Sequence, residues 1–287
     1  MYASTQSFQI LPVINNKGGV GKTTTTVNVA AGLARLGRRV LLVDLDCQAS
    51  ASLSLGVGRG DLEPSSAAVL FGQVPLHEAI RTTPVPGLDL LPASMELASA
   101  DLRLAQSRRR ATRLAEVLRP ARAEYDHILI DCAPSTSLLN VNAIVAADTL
   151  LVPLSPSYLS VEGLVSFGET IRRIRTAMGA IAPILGMSLT MVDPDAPDAQ
   201  KVIKAVRARF GGKVFKTAIR PCQALEEAPE SSQTIFDYAP DSTGAEDYAA
   251  LAHEVSDRLA RYAAVCNLQA DQLVMTPERE MAIAAAA

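Results

Sequence analysis

A single doubly wound α/β domain, built on a mostly parallel sheet with helices on both faces, is the fold class this sequence predicts. Three observations carry it. Short β-branched runs such as Val40–Asp44 and His127–Asp131 are apolar along most of their length, as strands covered on both faces must be. They alternate with longer amphipathic stretches such as Lys22–Leu36, the order of successive β–α–β units. The composition, 48% apolar and 20% charged over 287 residues, supplies a core for one large domain.

Taken in order, Gln9–Ile14 reads as a strand, Lys22–Leu36 as a helix and Arg39–Asp44 as a buried strand. Ser54–Pro86 is rich in Gly, Pro and Ser and reads as a surface excursion rather than a second domain. Leu88–Leu91 is a short strand, and Leu97–Leu118 reads as one helix with an arginine cluster at 108–110. The strand His127–Asp131, the helix Leu138–Ala147, the strand Thr149–Leu154 and the helix Val161–Met178 follow. Ile184–Met191, Val202–Phe210, Val214–Ile219 and Glu246–Tyr262 complete the alternation as strand, helix, strand, helix. The domain is expected over residues 1–266, with 267–287 a loosely attached, alanine-ending tail.

A formal net charge of -3 excludes a uniformly basic, histone-like binder but leaves room for a local basic patch. The cysteines at 47, 132, 222 and 266 form no C-x-x-C pair, which argues against a structural zinc site or an iron–sulfur ligand set. No basic segment followed by a long apolar one opens the chain. The longest uncharged run, Thr176–Val192, is broken by Pro183, Ser188 and Thr190 and is too short to span a bilayer. The expected location is cytoplasmic.

The chemistry concentrates in Lys17-Gly18-Gly19-Val20-Gly21-Lys22-Thr23-Thr24, between a strand and a helix. Glycines there let backbone N–H groups turn inward around phosphate oxygens, and the helix start adds its positive dipole end. Lys22 is placed to reach the β- and γ-phosphates, and the Thr23 hydroxyl to sit on Mg²⁺. The common phosphate-loop spacing asks for glycine where Asn16 stands, and a second lysine, Lys17, stands beside the gap. A glycine-rich turn before a helix is the plainer alternative, and the Gly-Lys-Thr-Thr run makes it the poorer one. Asp44 and Asp46 end the second strand on one side, since strand side chains repeat every two residues, and Asp131 ends another. Ligands of open α/β sheets bind at the carboxyl ends of strands, so the three carboxylates are expected at the loop mouth.

These motifs, KGGVGKTTT at 17–25, VLLVDLDCQ at 40–48 and ILIDCAPS at 128–135, resemble the ParA branch of the ParA/MinD family of deviant-Walker P-loop ATPases. VEGL at 161–164, FGGKVF at 210–215, LEEAP at 225–229 and GAEDY at 244–248 extend the resemblance over roughly residues 8–262. It implies a homodimer with ATP sandwiched at the interface, Lys17 reaching the partner's nucleotide, Asp46 orienting the attacking water, and Thr23, Asp44 and Asp131 serving Mg²⁺. It also implies an adenine near Pro221, non-specific DNA bound by the ATP dimer on the nucleoid, and hydrolysis triggered by a ParB-like or other activating partner, with no membrane.

Departures from the family pattern sharpen these expectations. Cys47 replaces the proline of Asp-x-Asp-Pro-Gln, Ala224 stands where an arginine is tied to DNA binding, and Ser242 and Thr243 occupy a second, often basic spot. The DNA contacts are therefore expected elsewhere, on a helical stripe of Lys201, Lys204 and Arg207. A solvated helix face is the plainer reading of that stripe. No N-terminal helix-turn-helix extension is read. The alternatives are a MinD-like membrane-cycling ATPase, which needs a basic amphipathic tail, an electron carrier, a metabolic synthetase of the same superfamily, and a scaffold that neither hydrolyses ATP nor dimerises with it.

Overall fold

The computed structural model describes residues 8–155 and 182–273 together with positions 168, 169, 172 and 176. The expected helix Val161–Met178 lies outside the described residues except at those four positions, and so does 274–287 of the expected tail.

Among the described residues eight strands form one sheet: β1 (Gln9–Val13), β2 (Val40–Leu45), β3 (Arg81–Thr82), β4 (Leu88–Leu91), β5 (His127–Cys132), β6 (Leu150–Leu154), β7 (Ile184–Leu189) and β8 (Val214–Ala218). Their spatial order is β3-β4-β2-β5-β1-β6-β7-β8. Every pairing is parallel except β3 with β4, an antiparallel edge pair absent from the sequence reading. Side-chain alternation divides the core. Ile10, Leu41, Val43, Ile128 and Ile130 pack on one face, and Leu11, Val13, Leu42 and Leu129 on the other.

The second face is covered by α1 (Lys22–Arg35) and by the long C-terminal helix Thr243–Leu273. These two cross closely at Gly32, where a Cβ would come within 2.5 Å of the Ala252 Cβ. The Thr25 hydroxyl and the buried Tyr248 phenol, 3.2 Å apart, pin the same crossing near the start of α1. The C-terminal helix begins before the expected Glu246 and continues past Tyr262 to Leu273. The edge strand β8 is capped rather than left open: the Glu254 carboxylate accepts the N–H groups of Lys216 and Thr217 at 3.0 and 3.1 Å.

Two expectations are corrected. Leu97–Leu118 is not one helix: a 3₁₀ turn at Met95–Ser99 leads into Ala100–Ala105, and a second helix starts only at Arg113. The Ser107 hydroxyl accepts the Arg109 N–H at 3.1 Å, a local turn that competes with helix. The buried Asn142 then holds the intervening arginine loop through the Arg110 carbonyl at 2.6 Å. Nor is Ser54–Pro86 a mere surface excursion. Its short helices Ser66–Leu70 and Leu76–Ala79 bury Ala67, Val69, Leu70, Leu76 and Ala79 in the first core layer.

Candidate functional site

The site is built from the C-terminal ends of β1, β2 and β5, adjacent in the sheet. Strand β1 delivers the chain into the loop ahead of α1, where Gly19 and Gly21 adopt φ of 71° and 76°. Gly21 is the residue immediately before the helix, and its left-handed backbone turns the loop into α1. From below, Asn15 fixes the loop, donating to the Pro153 carbonyl at 2.8 Å and accepting the Lys17 N–H at 3.1 Å. From the side, the Thr190 hydroxyl donates to the Val20 carbonyl at 3.0 Å. The two loop lysines differ sharply. Lys22 is buried with its Nζ inside the loop, 2.7 Å from the Lys17 carbonyl, while Lys17 is exposed at the rim. Burial lowers the Lys22 pKa, opposed by the nearby Asp131 carboxylate.

Asp44 and Asp131 are directly opposite one another on neighbouring strands, and both are fully buried. They are held differently. Asp131 accepts the Thr23 hydroxyl at 2.8 Å on one oxygen and the Thr26 hydroxyl at 3.0 Å on the other, so it is tied to the phosphate loop. Asp44 is tied instead to the turn that follows it, accepting the Ser52 N–H and hydroxyl at 2.9 and 2.7 Å and the Asp46 N–H at 3.1 Å. Burial raises both carboxyl pKa values, and the neighbouring carboxylate raises that of Asp131 further. The two buried carboxyls thus lie next to one another at the ends of β2 and β5. Asp46 is half-buried beside them, its carboxylate accepting the Gln48 N–H at 3.0 Å.

The expected residues Lys17, Gly18, Gly19, Val20, Gly21, Lys22, Thr23, Thr24, Asp44, Asp46 and Asp131 are thus gathered at one rim of the sheet. An open cavity of about 390 Å³ borders Thr23 and Thr24 on one wall and Leu225, Ala228 and Pro229 on the other. Pro221 is exposed and does not line it. The loop carrying Pro221 is anchored by Arg220, whose guanidinium pairs with the buried Asp247 at 2.7 Å. Lys201, Lys204 and Arg207 are exposed on the helix Pro197–Phe210, whose Ile203 and Val206 face the core. Arg207 donates to the Lys216 carbonyl at 2.9 Å. The sequence reading missed Asn15, Thr26, Ser52 and Thr190. Thr26 alone carried a signal, four residues past Lys22 on the inner side of the helix.

An AAA domain family matches residues 8–182. Over 257 residues the chain is 39% identical to the chromosome partitioning protein ParA of Caulobacter vibrioides, covering 89% of this chain and 96% of that one. The chain belongs to the ParA/MinD family. It is 40% identical over 248 residues to the sporulation initiation inhibitor Soj of Bacillus subtilis, covering 86% and 98% of the two chains. Among solved structures it resembles the cobyrinic acid a,c-diamide synthase of Mycobacterium smegmatis with bound ATP analogue and magnesium, with TM-score 0.74 and 32% identity over 86% of this chain and 93% of that one. The Mg-ADP complex of MinD from Pyrococcus horikoshii gives TM-score 0.70 at 27% identity, covering 86% and 96%. The eight-stranded, mostly parallel architecture of this ParA/MinD member is that of a P-loop NTPase, as its sequence predicts.

Proposed function

We propose that this protein is an ATP-dependent dimeric switch that hydrolyses ATP slowly and positions or segregates a cargo, chromosome, plasmid or protein complex, together with an activating partner. In the ATP state it dimerises across Lys17 and binds DNA without sequence preference. The observation that carries this reading is the link from phosphate loop to paired carboxylates: Thr23 on Asp131, with Asp44 alongside and Asp46 half-buried next to them.

The residues present suit a magnesium nucleotide. Thr23 and Asp131 offer hard oxygen donors next to a loop that can receive phosphates, the set Mg²⁺ prefers. Thr23, Asp44 and Asp131 would hold the Mg²⁺, which would supply charge neutralisation for the phosphates. Lys22, already inside the loop, swings from the Lys17 carbonyl onto the phosphates, and loop N–H groups hold the remaining oxygens. Asp46 orients water for in-line attack. Such hydrolysis needs positioning and charge neutralisation, with no covalent step on the protein. Lys17, exposed at the rim, is the lysine that would reach a nucleotide in a facing copy. A small-molecule synthase is the second reading, favoured by the 32% identity to the diamide synthase. The higher identities to partitioning proteins, 39% and 40% over comparable spans, support the switch instead.

The test is a pair of lysine variants beside Asp46→Ala. Lys22→Ala is expected to lose nucleotide affinity by about 10- to 100-fold, the worth of a charged hydrogen bond. Lys17→Ala should keep monomer affinity and lose ATP-dependent dimerisation. Asp46→Ala should dimerise with ATP and turn over at least about 100-fold more slowly. Calorimetry, size-exclusion chromatography and phosphate release read all three. Equal affinity losses in the two lysine variants, or wild-type turnover in Asp46→Ala, would overturn the proposal.

A further inference from the structure

The segment between β2 and the short helix Ser50–Ser54 closes on itself through side chains. The Asp44 carboxylate accepts the Asp46 N–H. The Asp46 carboxylate accepts the Gln48 N–H, and the Asp46 carbonyl accepts the Ala49 N–H at 2.8 Å. Ala49 takes the left-handed conformation, φ 56°, and turns the chain into the short helix. Ser52 then returns to Asp44, donating both its N–H and its hydroxyl to one carboxylate oxygen. The ring is anchored from outside as well, because the Ser52 Oγ accepts the Ala93 N–H at 3.0 Å, beyond the end of β4. A second serine, Ser66, donates to the Asp44 carbonyl at 2.7 Å.

We infer that Ser52 is a positioning residue for hydrolysis, acting through Asp44 to fix the backbone that carries Asp46. The inference rests on the proposed role of Asp46 in orienting water. Ser52 is fully buried, and no residue of the phosphate loop is among its hydrogen-bond partners. Its hydroxyl donates its one hydrogen to Asp44 and accepts the Ala93 N–H. With Asp44 held on one oxygen by Ser52, its other oxygen stays aimed at the Asp46 N–H, and the Asp46 side chain is presented from a rigid turn. Without the hydroxyl, Asp44 keeps only the backbone donor of residue 52 on that oxygen, and the Ala93 N–H is left buried without an acceptor. The carboxylate is then held by two backbone donors in place of three groups, and Asp46 is presented from a looser turn while the loop before α1, tied to Asn15, Thr190 and Asp131, stays as it is.

The experiment measures turnover and ATP affinity separately for Ser52→Ala, alone and in an Asp46→Ala background. The single variant is expected to lower kcat about tenfold, the consequence of losing one buried hydrogen bond, and to leave the ATP Kd within about twofold. In the Asp46→Ala background the same change should cost nothing further, since two residues acting through one step are not additive. A kcat within about twofold of wild type, an equal loss in ATP affinity, or an undiminished tenfold loss in the Asp46→Ala background would each overturn the role of Ser52. Wild-type turnover in Asp46→Ala alone would instead overturn the reading on which the inference rests.

Discussion

Strand β5 carries a buried titratable group at each end, and the two are treated in opposite ways. At the carboxyl end, Asp131 receives two threonine hydroxyls from α1 and faces Asp44 across the sheet. At the amino end, His127 is 7% exposed and its Nδ1 has no hydrogen-bond partner among the described residues. Burial disfavours the charged form of both, pushing Asp131 up and His127 down to about 4. The difference lies in what surrounds them. Asp131 has two hydroxyl donors aimed at its carboxylate oxygens, whereas His127 is a neutral ring packed into the sheet's far rim. Burial alone therefore does not mark a functional group; burial with donors already aimed at the charged form does.

Replacing Asp131 tests the functional side of this contrast and should give the largest effect. Asp131→Asn keeps the shape, removes the charge, and is expected to reduce ATP turnover at least about 100-fold. It should also change stability in the opposite sense. A carboxyl whose pKa is raised in the folded protein keeps its proton to higher pH than in the unfolded chain. Its stabilisation is complete below the ordinary carboxylate range and is lost as pH rises through the raised value. The nucleotide-free wild type should therefore lose melting temperature on going from mildly acidic to alkaline solution. The Asn variant should lose less and be the more stable protein at the alkaline end. A variant destabilised at every pH would reduce Asp131 to a packing residue.

How much of this was legible in the sequence follows from how local each feature is. The loop 17–24, Asp46 and Asp131 lie in contiguous strand–turn–helix segments, so spacing alone placed them. Ser52 on Asp44 and Thr190 on Val20 depend on which segments become neighbours and on where a serine and a threonine are buried, and no local pattern encodes that. The broken helix at 97–118 was missed for a related reason. Leu97, Leu104, Leu114 and Leu118 all reach the core, so apolar residues continue at helix-compatible spacing while Ser107 and the distant Asn142 hold the chain in a turn.

The helix Pro197–Phe210 extends the contrast to a face that is neither buried nor convergent. Lys201, Lys204 and Arg207 display their charge to solvent, so in the proposed role they would contact DNA phosphates and release counterions. Each such contact steepens log K against log salt by about 0.9. Changing all three to Glu in the Asp46→Ala background should flatten that slope by roughly three per protomer and weaken binding at low salt. ATP-dependent dimerisation should be unchanged. Filter binding across a salt series on DNAs of unrelated sequence reads the slope. An unaltered slope would return this helix to an ordinary solvated face and leave the arginines at 108–110 as the next surface to test.

His127 tests the other end of β5, and its effect is the smallest because it is confined to acid. Burial drives its pKa to about 4, with Asp126 opposing and Arg38 reinforcing the fall. The unfolded chain binds a proton at this position near the ordinary value of about 6.5, well before the folded protein does. The stabilisation is therefore complete above that value and is lost as pH falls toward 4, by up to about 3 kcal/mol for a shift of this size. For a domain this large, that amounts to a fall of several degrees in melting temperature. His127→Gln removes the titration, so its melting temperature should lie close to that of wild type at pH 7 and fall less steeply between pH 6.5 and 4. ATP turnover near neutrality should be unchanged, because the far rim of the sheet touches neither the phosphate loop nor Asp46. A variant whose acid limb matches wild type would show that His127 is already protonated in the folded protein. A variant that lost turnover at pH 7 would show that the two ends of β5 are coupled, and the contrast drawn between them would fail.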